Sequence, residues 1–134
     1  MREQEHHLQV ALFNWARLYE EKYPILGLLF SIPNGGHRHI TVAKKMKAEG
    51  VKAGVPDIFL AVTVQRPIDI NGDLHLIPGL FIEMKYGTNK PTKSQERWLK
   101  ALEEQGYKVA VCYSDKEAKI VIVDYLGLPV ELTR

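Results

Sequence analysis

Two apolar segments of this chain carry charged residues where a strand would ordinarily be buried. The segments "DIFLAVTV" (residues 57–64) and "GLFIEMK" (residues 79–85) have the β-branched and aromatic composition of strands. They nevertheless contain Asp57, Glu83 and Lys85. A globular domain rarely buries charge in a strand unless the charge is paired or holds a metal ion. The chain is therefore restricted to folds that bring these charges together or leave them at an exposed edge.

The connection between the two segments predicts that they pair with each other. It contains two prolines and the dipeptide Asn71-Gly72, and Asn-Gly between two alternating segments is the strongest short signal for a β-hairpin. We therefore expect one long antiparallel hairpin. If Asn71 and Gly72 form a two-residue turn, Asp57 faces Tyr86. The prolines favour a bulge, which would shift this register by a residue or more.

The remaining segments alternate between helical and strand patterns. Residues 3–22 and 39–49 are predicted to be helices, and a short apolar run predicts a strand in residues 26–33. The segment 92–106 begins with a capping-box pair, Thr92 and Gln95, and predicts a third helix. A strand at 107–112 and a helix that ends at Gly127 follow, and the last residues have the pattern of a tail.

This order of elements predicts an α/β fold. The strand, helix and strand between residues 79 and 112 form the pattern of a right-handed parallel crossover. We expect a mixed sheet of four or slightly more strands, flanked by helices. The 134 residues suffice for one domain with its own core but not for two, so residues 1–134 are predicted to be a single domain.

The charge is unevenly distributed along the chain. The net charge is only +2, but residues 33–56 hold five Lys/Arg and one Glu, a local net charge of +4. Such a segment is a candidate phosphate-binding surface, and it is also compatible with a solvated helix face. The single cysteine excludes an internal disulfide and a Cys-based zinc site. The charged N-terminus and the lack of an apolar run of about 20 residues predict a cytoplasmic protein without a membrane span.

The charged strand residues have the chemistry of a hydrolytic site. Strand side chains alternate, so Glu83 and Lys85 share a face, and the hairpin brings Asp57 beside them. Carboxylate oxygens are the ligands that Mg²⁺ prefers, and a nearby lysine can orient a water or neutralise charge on a phosphate. The alternative is that Glu83 and Lys85 form an exposed ion pair and that Asp57, after Pro56, is a turn residue.

A family resemblance favours the first of these interpretations. "GVPDIF" followed by "GLFIEMK" resembles the PD-(D/E)xK nuclease superfamily. The ordered set "EHHLQ", "IPNGGHR", a basic helix, "EGVKAGVPDIFL", "GLFIEMK" and "KSQERWLKALEEQGYKVAVC" is similar to its virus-type replication-repair nuclease branch, the VRR-NUC domain. The motifs cover nearly the whole chain, from about residue 5 to residue 126. The resemblance implies a restriction-endonuclease-like core.

The resemblance also implies roles for individual residues. Asp57 and Glu83 would be metal ligands, joined by the backbone carbonyl of Met84 and by Glu5 from the first helix. Lys85 would act on the attacking water, and Gln95 would orient the site. Gln95 also has a structural explanation as part of the capping box, and Glu5 has one as a favourable charge at a helix N-terminus. The implied DNA contacts are Asn34, Gly35, Gly36, Arg38, Lys44, Lys45, Lys47 and Lys52.

The function implied by the resemblance is that of a metal-dependent DNA endonuclease. The cofactor would be Mg²⁺ or Mn²⁺, and the substrate would be branched DNA. A homodimer that resolves Holliday junctions is the leading hypothesis, because two-fold symmetry in an enzyme matches two symmetric cuts. Three alternatives stay open: a flap nuclease, a subunit of a restriction or defence complex, and an inactive DNA-binding module of the same fold.

Overall fold

The structure, a computed structural model, describes residues 2–33 and 39–134. Within these ranges it contains four α-helices and six strands. The helices are α1 (Arg2–Glu20), α2 (Ile40–Ala48), α3 (Lys93–Glu104) and α4 (Asp115–Leu126). The strands are β1 (Leu29–Ser31), β2 (Ile58–Leu60), β3 (Val64–Pro67), β4 (Leu74–Ile77), β5 (Leu80–Met84) and β6 (Lys108–Cys112). Two 3-10 turns, Pro24–Leu28 and Val130–Thr133, complete the description. No helix among these is both long and apolar enough to cross a membrane.

Four strands form the predicted mixed sheet, in the order β1-β2-β5-β6. β2 pairs antiparallel with both β1 and β5, whereas β5 and β6 are parallel. Parallel neighbours need a crossover connection, and α3 provides it. The α/β class with a four-stranded mixed sheet flanked by helices is confirmed.

The predicted register of the hairpin is wrong. Ile58 pairs with Ile82, so the ladder, continued by one residue, places Asp57 opposite Glu83 rather than opposite Tyr86. The predicted first strand is also interrupted, because β2 ends at Leu60 and β3 begins only at Val64. β3 and β4 form a separate two-stranded arm beyond this break.

The turn at the tip of the arm explains part of the shift in register. Residues 68–73 connect β3 to β4, so the turn is longer than Asn71-Gly72 alone. The Asp69 carboxylate accepts hydrogen bonds from the N–H groups of Asn71 (2.9 Å) and Asp73 (3.3 Å). An aspartate that bonds to the backbone two residues on forms a turn of its own. This side-chain turn replaces the predicted two-residue hairpin turn.

The core lies on one face of the four-stranded sheet. Alternate strand residues point to this face, and α1 and α4 contact each other over it. The fully buried side chains of the core are Leu12, Leu26, Ile58, Leu60, Leu80, Ile82, Met84, Cys112, Ala118 and Ile122. The Tyr125 hydroxyl of α4 lies 2.6 Å from the carbonyl oxygen of Val62 and fixes the break between β2 and β3.

The last residues of the chain pack against the core, which corrects the prediction of a tail. Leu132 is only 6% exposed. The indole Nε1 of Trp15 donates a hydrogen bond of 2.8 Å to the Leu132 carbonyl. Neither contact could be expected from local pattern, because 117 residues separate the two partners.

The packing of Leu132 predicts a measurable contribution to stability. Leu132→Ala should lower the free energy of unfolding by about 2–3 kcal/mol, because it removes buried methyl groups and leaves a cavity. Val130→Ala, in the same turn but 57% exposed, is the matched control and should change it by less than about 0.5 kcal/mol. Urea denaturation measures both values. Equal effects of the two substitutions would contradict the docking of this turn.

Candidate active site

Asp57 is fixed at the point where the ladder between β2 and β5 ends. Its Oδ2 accepts a hydrogen bond of 2.8 Å from the backbone N–H of Met84. Its own carbonyl accepts one of 2.7 Å from the N–H of Ile32. Asp57 therefore extends the pairing with the β1 side through its backbone carbonyl. It extends the pairing with β5 through its side chain. The carboxylate is held against the β5 backbone, next to Glu83.

Glu83 is the most deeply buried charged residue that the structure describes. It is 1% exposed, and its Oε1 is buried without a hydrogen-bond partner among the described residues. Leaving a buried polar atom unpaired costs free energy. The Glu83 Oε1, which no described residue pairs, is therefore a candidate metal ligand.

The two carboxyl groups perturb each other. Burial, then the charge of Asp57 and a hydrogen bond to Asp57, raise the pKa of Glu83 to about 9. Burial also raises the pKa of Asp57 above its ordinary value, although the Met84 N–H opposes that shift. Like charges in a buried site cannot both ionise without compensation. In the absence of a cation, the pair therefore retains a proton at neutral pH.

Lys85 follows Glu83 by two residues, so its side chain lies on the same face of the sheet, and it is 8% exposed. Its backbone N–H donates to the carbonyl of Cys112 (2.9 Å), which extends the parallel pairing with β6. Its positive charge lowers the pKa of both carboxyl groups, a smaller effect than that of burial. The structure thus brings together Asp57, Glu83 and Lys85, as the sequence predicts.

A cleft of about 1070 Å³ opens onto these three residues. One wall is α1, which contributes Glu5 and Gln9. The charge of Glu5 raises the pKa of both Asp57 and Glu83, so Glu5 acts on the site electrostatically as well as lining it.

The N-terminal end of α3 forms another part of the cleft wall. Thr92 and Gln95 line the cleft and form the predicted capping box, in which the Gln95 Oε1 accepts from the Thr92 N–H (2.8 Å). Gln95 can therefore belong to the capping box and also contact groups bound in the cleft. The cap uses the side-chain oxygen, so the amide N–H groups are the donors that Gln95 can offer to a water or a phosphate.

The donor set fits a divalent cation that keeps several waters. No group of three or more His, Cys, Asp or Glu side chains with metal-site geometry occurs in residues 2–33 and 39–134. Two carboxylates and a backbone carbonyl would therefore have to suffice, which is typical of Mg²⁺ rather than Zn²⁺. Met84 can supply the carbonyl, because the continued register places Pro56 opposite it and proline has no N–H to donate.

Four of the predicted DNA contacts are described by the structure, and all four are lysines outside the cleft lining. Lys44, Lys45, Lys47 and Lys52 are exposed, and none of them is among the residues that line the cleft. Lys45 and Lys47 lie in the last turn of α2. Asn34, Gly35, Gly36 and Arg38 lie outside the described residues. The assignment of these eight residues to DNA stays a prediction.

The cleft also contains residues that the sequence analysis did not assign to the site. His6 lines it next to Glu5, and Phe13, Arg17 and Glu20 extend its wall along α1. The predicted site residue Glu5 gives the signal, since residues four apart share a helix face. Continuing this spacing identifies Phe13 and Arg17 as parts of the same wall.

The raised pKa of Glu83 predicts a pH-dependent stability in EDTA. The folded chain keeps the Glu83 proton up to pH about 9, whereas the unfolded chain releases it near the ordinary value of 4.5. Folding must therefore take up a proton between these values, so the free energy of unfolding should fall as the pH rises through this window. Urea denaturation at pH 5, 7 and 9 measures the slope.

Glu83→Gln should reduce this slope, because the amide mimics the protonated carboxyl group and does not titrate. Glu96→Gln is the matched control at an exposed position and should keep the wild-type slope. A wild-type slope no steeper than that of Glu83→Gln would contradict the retained proton.

Comparisons with known proteins identify the family and the type of fold. The model of the VRR-NUC domain family matches residues 1–116, a range that includes every candidate site residue. A solved structure described as a VRR_NUC domain protein is similar to this chain, with 26% sequence identity and a TM-score of 0.69. That similarity covers 92% of this chain and 88% of the other. Among curated proteins, no match was found. The chain therefore belongs to the VRR-NUC domain family and has a fold of the nuclease type.

Proposed function

We propose that the chain is a divalent-metal-dependent endonuclease that hydrolyses phosphodiester bonds in DNA. One observation carries the proposal: a buried carboxyl pair, with one oxygen unpartnered, opens onto a large cleft beside a buried lysine. A purely structural carboxyl pair would be expected to satisfy its oxygens within the protein. Membership of a nuclease-like family supports hydrolysis as the reaction.

The residues that would hold Mg²⁺ or Mn²⁺ are Asp57, Glu83 and, through its backbone carbonyl, Met84. Such an ion polarises a phosphoryl oxygen and lowers the pKa of a bound water when it is present. Glu5 faces the same cleft, and we assign it an auxiliary role through solvent. The hydrogen bond from Met84 N–H keeps Asp57 oriented for this task.

Lys85 and Gln95 would act on the reacting groups. A buried ammonium group stabilises negative charge that develops on a phosphate, because the surrounding dielectric is low. Lys85 lies on the same strand face as Glu83, so it can also orient the attacking water. Gln95 offers amide N–H donors at the cleft wall, in a position that the capping box fixes.

The proposed substrate is branched DNA, and the proposed active form is a homodimer. A four-way junction presents two equivalent strands, and the described part of the chain holds one candidate site. Two copies related by a two-fold axis would place one site on each strand. Flap cleavage would use the same site without this symmetry.

Cleavage assays on labelled duplex, flap and four-way-junction DNA test the proposed site. We expect cleavage with Mg²⁺ or Mn²⁺ and none in EDTA. Asp57→Ala and Lys85→Ala should each lower the rate by at least about a hundredfold, because each removes charge stabilisation at the reacting phosphate. Lys108→Ala, an exposed lysine at the opposite end of the sheet, is the matched control and should retain activity.

The outcomes separate the competing functions. Cleavage in EDTA, or full activity in both site variants, would contradict the proposed centre. Binding without cleavage under every condition would favour an inactive DNA-binding module. Fastest cleavage of the junction together with sedimentation as a dimer supports resolution, whereas a monomer that prefers flaps would replace that substrate.

A further inference from the structure

Most terminal charges of α1, α2 and α4 lie where the helix dipole favours them, although Glu20 and Asp124 in the last turns of α1 and α4 do not. Acidic residues stabilise the N-terminal turn of a helix, and basic residues stabilise the C-terminal turn. α1 and α4 follow the first rule, and α1 and α2 follow the second. The residues concerned are Glu3 and Glu5 in α1, Asp115 and Glu117 in α4, Arg17 in α1, and Lys45 and Lys47 in α2.

α3 has largely the opposite arrangement. Lys93 is its first residue, Lys90 lies just before it, and only Glu96 is acidic in the first turn. The last turn contains Glu103 and Glu104 and no basic residue. Each of these placements, apart from that of Glu96, opposes the dipole. The helix dipole therefore does not explain the basic residues at the start of α3, and a local rule broken without an evident compensating contact marks a candidate functional surface.

The basic residues of α3 form a continuous stripe. At 3.6 residues per turn, Lys93, Arg97 and Lys100 fall within about 60° of one another. They lie on the side opposite Trp98, Leu99 and Leu102 and are exposed. Within the described part of the chain, none of the three, nor Lys90, forms an ion pair. We refer to Lys90, Lys93, Arg97 and Lys100 as the α3 basic stripe.

The stripe lies on the outward face of α3, and it begins next in sequence to residues that line the cleft. None of its four residues is itself in the cleft lining, and α3 is held in place by its neighbours. Thr92 and Gln95, from the same end of α3, line the cleft. The Ser94 hydroxyl donates to the carbonyl of Ala53 (3.4 Å), and Gly54 approaches Trp98 so closely that a Cβ there would lie 3.0 Å from the indole. From Lys93 to Lys100 the helix rises about 10 Å. That length equals about three base-pair rises of 3.4 Å along the DNA axis.

We propose that the α3 basic stripe binds successive backbone phosphates of the DNA next to the cleft. Glu103 and Glu104 follow it and would repel the backbone, so the contact is limited to about three phosphates. This inference rests on the proposed function, because it assigns the DNA surface that leads to the active site. It also separates α3 from α2, where the dipole already accounts for Lys45 and Lys47.

Salt-dependent binding of labelled duplex and four-way-junction DNA in EDTA tests the stripe without cleavage. Each phosphate contact contributes about 0.9 to the slope of log K against log salt concentration. Lys93→Gln/Lys100→Gln should therefore reduce the slope by about 1.8, and Lys93→Arg/Lys100→Arg should retain it. The matched control is Lys22→Gln/Lys108→Gln, which removes two exposed lysines elsewhere and should leave the slope nearly unchanged.

Each outcome of this experiment either supports or contradicts the proposed DNA contact. An unchanged slope in Lys93→Gln/Lys100→Gln, or an equal loss in the control, would overturn the stripe while leaving the proposed hydrolysis intact. Reduced slope in a protein that never cleaves DNA would support the stripe and contradict the proposed hydrolysis. A wild-type chain that does not bind DNA would overturn both. If the double variant does not fold, as judged by thermal unfolding, Lys100→Gln should still reduce the slope by about 0.9.

Discussion

The hydrogen bond from the Met84 N–H to the Asp57 carboxylate is the interaction on which the site depends. At this point the ladder between β2 and β5 stops, since Pro56 has no N–H with which to continue it. The Asp57 carboxylate accepts the hydrogen bond of the Met84 N–H there, and the Met84 carbonyl has no proline N–H to pair with. The same hydrogen bond holds the Asp57 carboxylate against that of Glu83, in a place that water does not fully solvate. Burial, and then the adjacent Asp57 charge, raise the pKa of Glu83, whose Oε1 has no partner among the described residues.

The buried pair of carboxyl groups is destabilising by itself, and the stability of the rest of the fold compensates for it. The apolar strands provide the burial, and Lys85 offsets part of the negative charge. α1 and the N-terminal end of α3 enclose the space in front of the pair and add Glu5 and Gln95 to its walls. Strained or unsatisfied polar groups persist where function requires them. A cation and a phosphate are the partners whose charges would complete this arrangement.

The sequence predicted the parts of the structure that depend on local pattern. The capping box at Thr92, the apolar strands and the face shared by Glu83 and Lys85 all follow from spacing. The register did not, because the Asp69 side chain builds a longer turn than Asn71-Gly72. Leu132 was missed because its partner Trp15 is distant in sequence. The charges of α3 were present in the sequence but were hidden in its net charge. Its three basic residues cancel against Glu96, Glu103 and Glu104, whereas α2 has a net positive charge.

Calorimetric titration of the protein with Mn²⁺ at pH 7, in buffers of different ionisation enthalpy, tests the central claim most directly. A metal ligand must be deprotonated, so binding at a carboxyl pair that retains a proton should release about one proton per chain. Glu83→Gln should abolish that release. Mn²⁺ binding without proton release, or an equal release from Glu83→Gln, would contradict the assignment of Asp57 and Glu83 as a proton-sharing metal site.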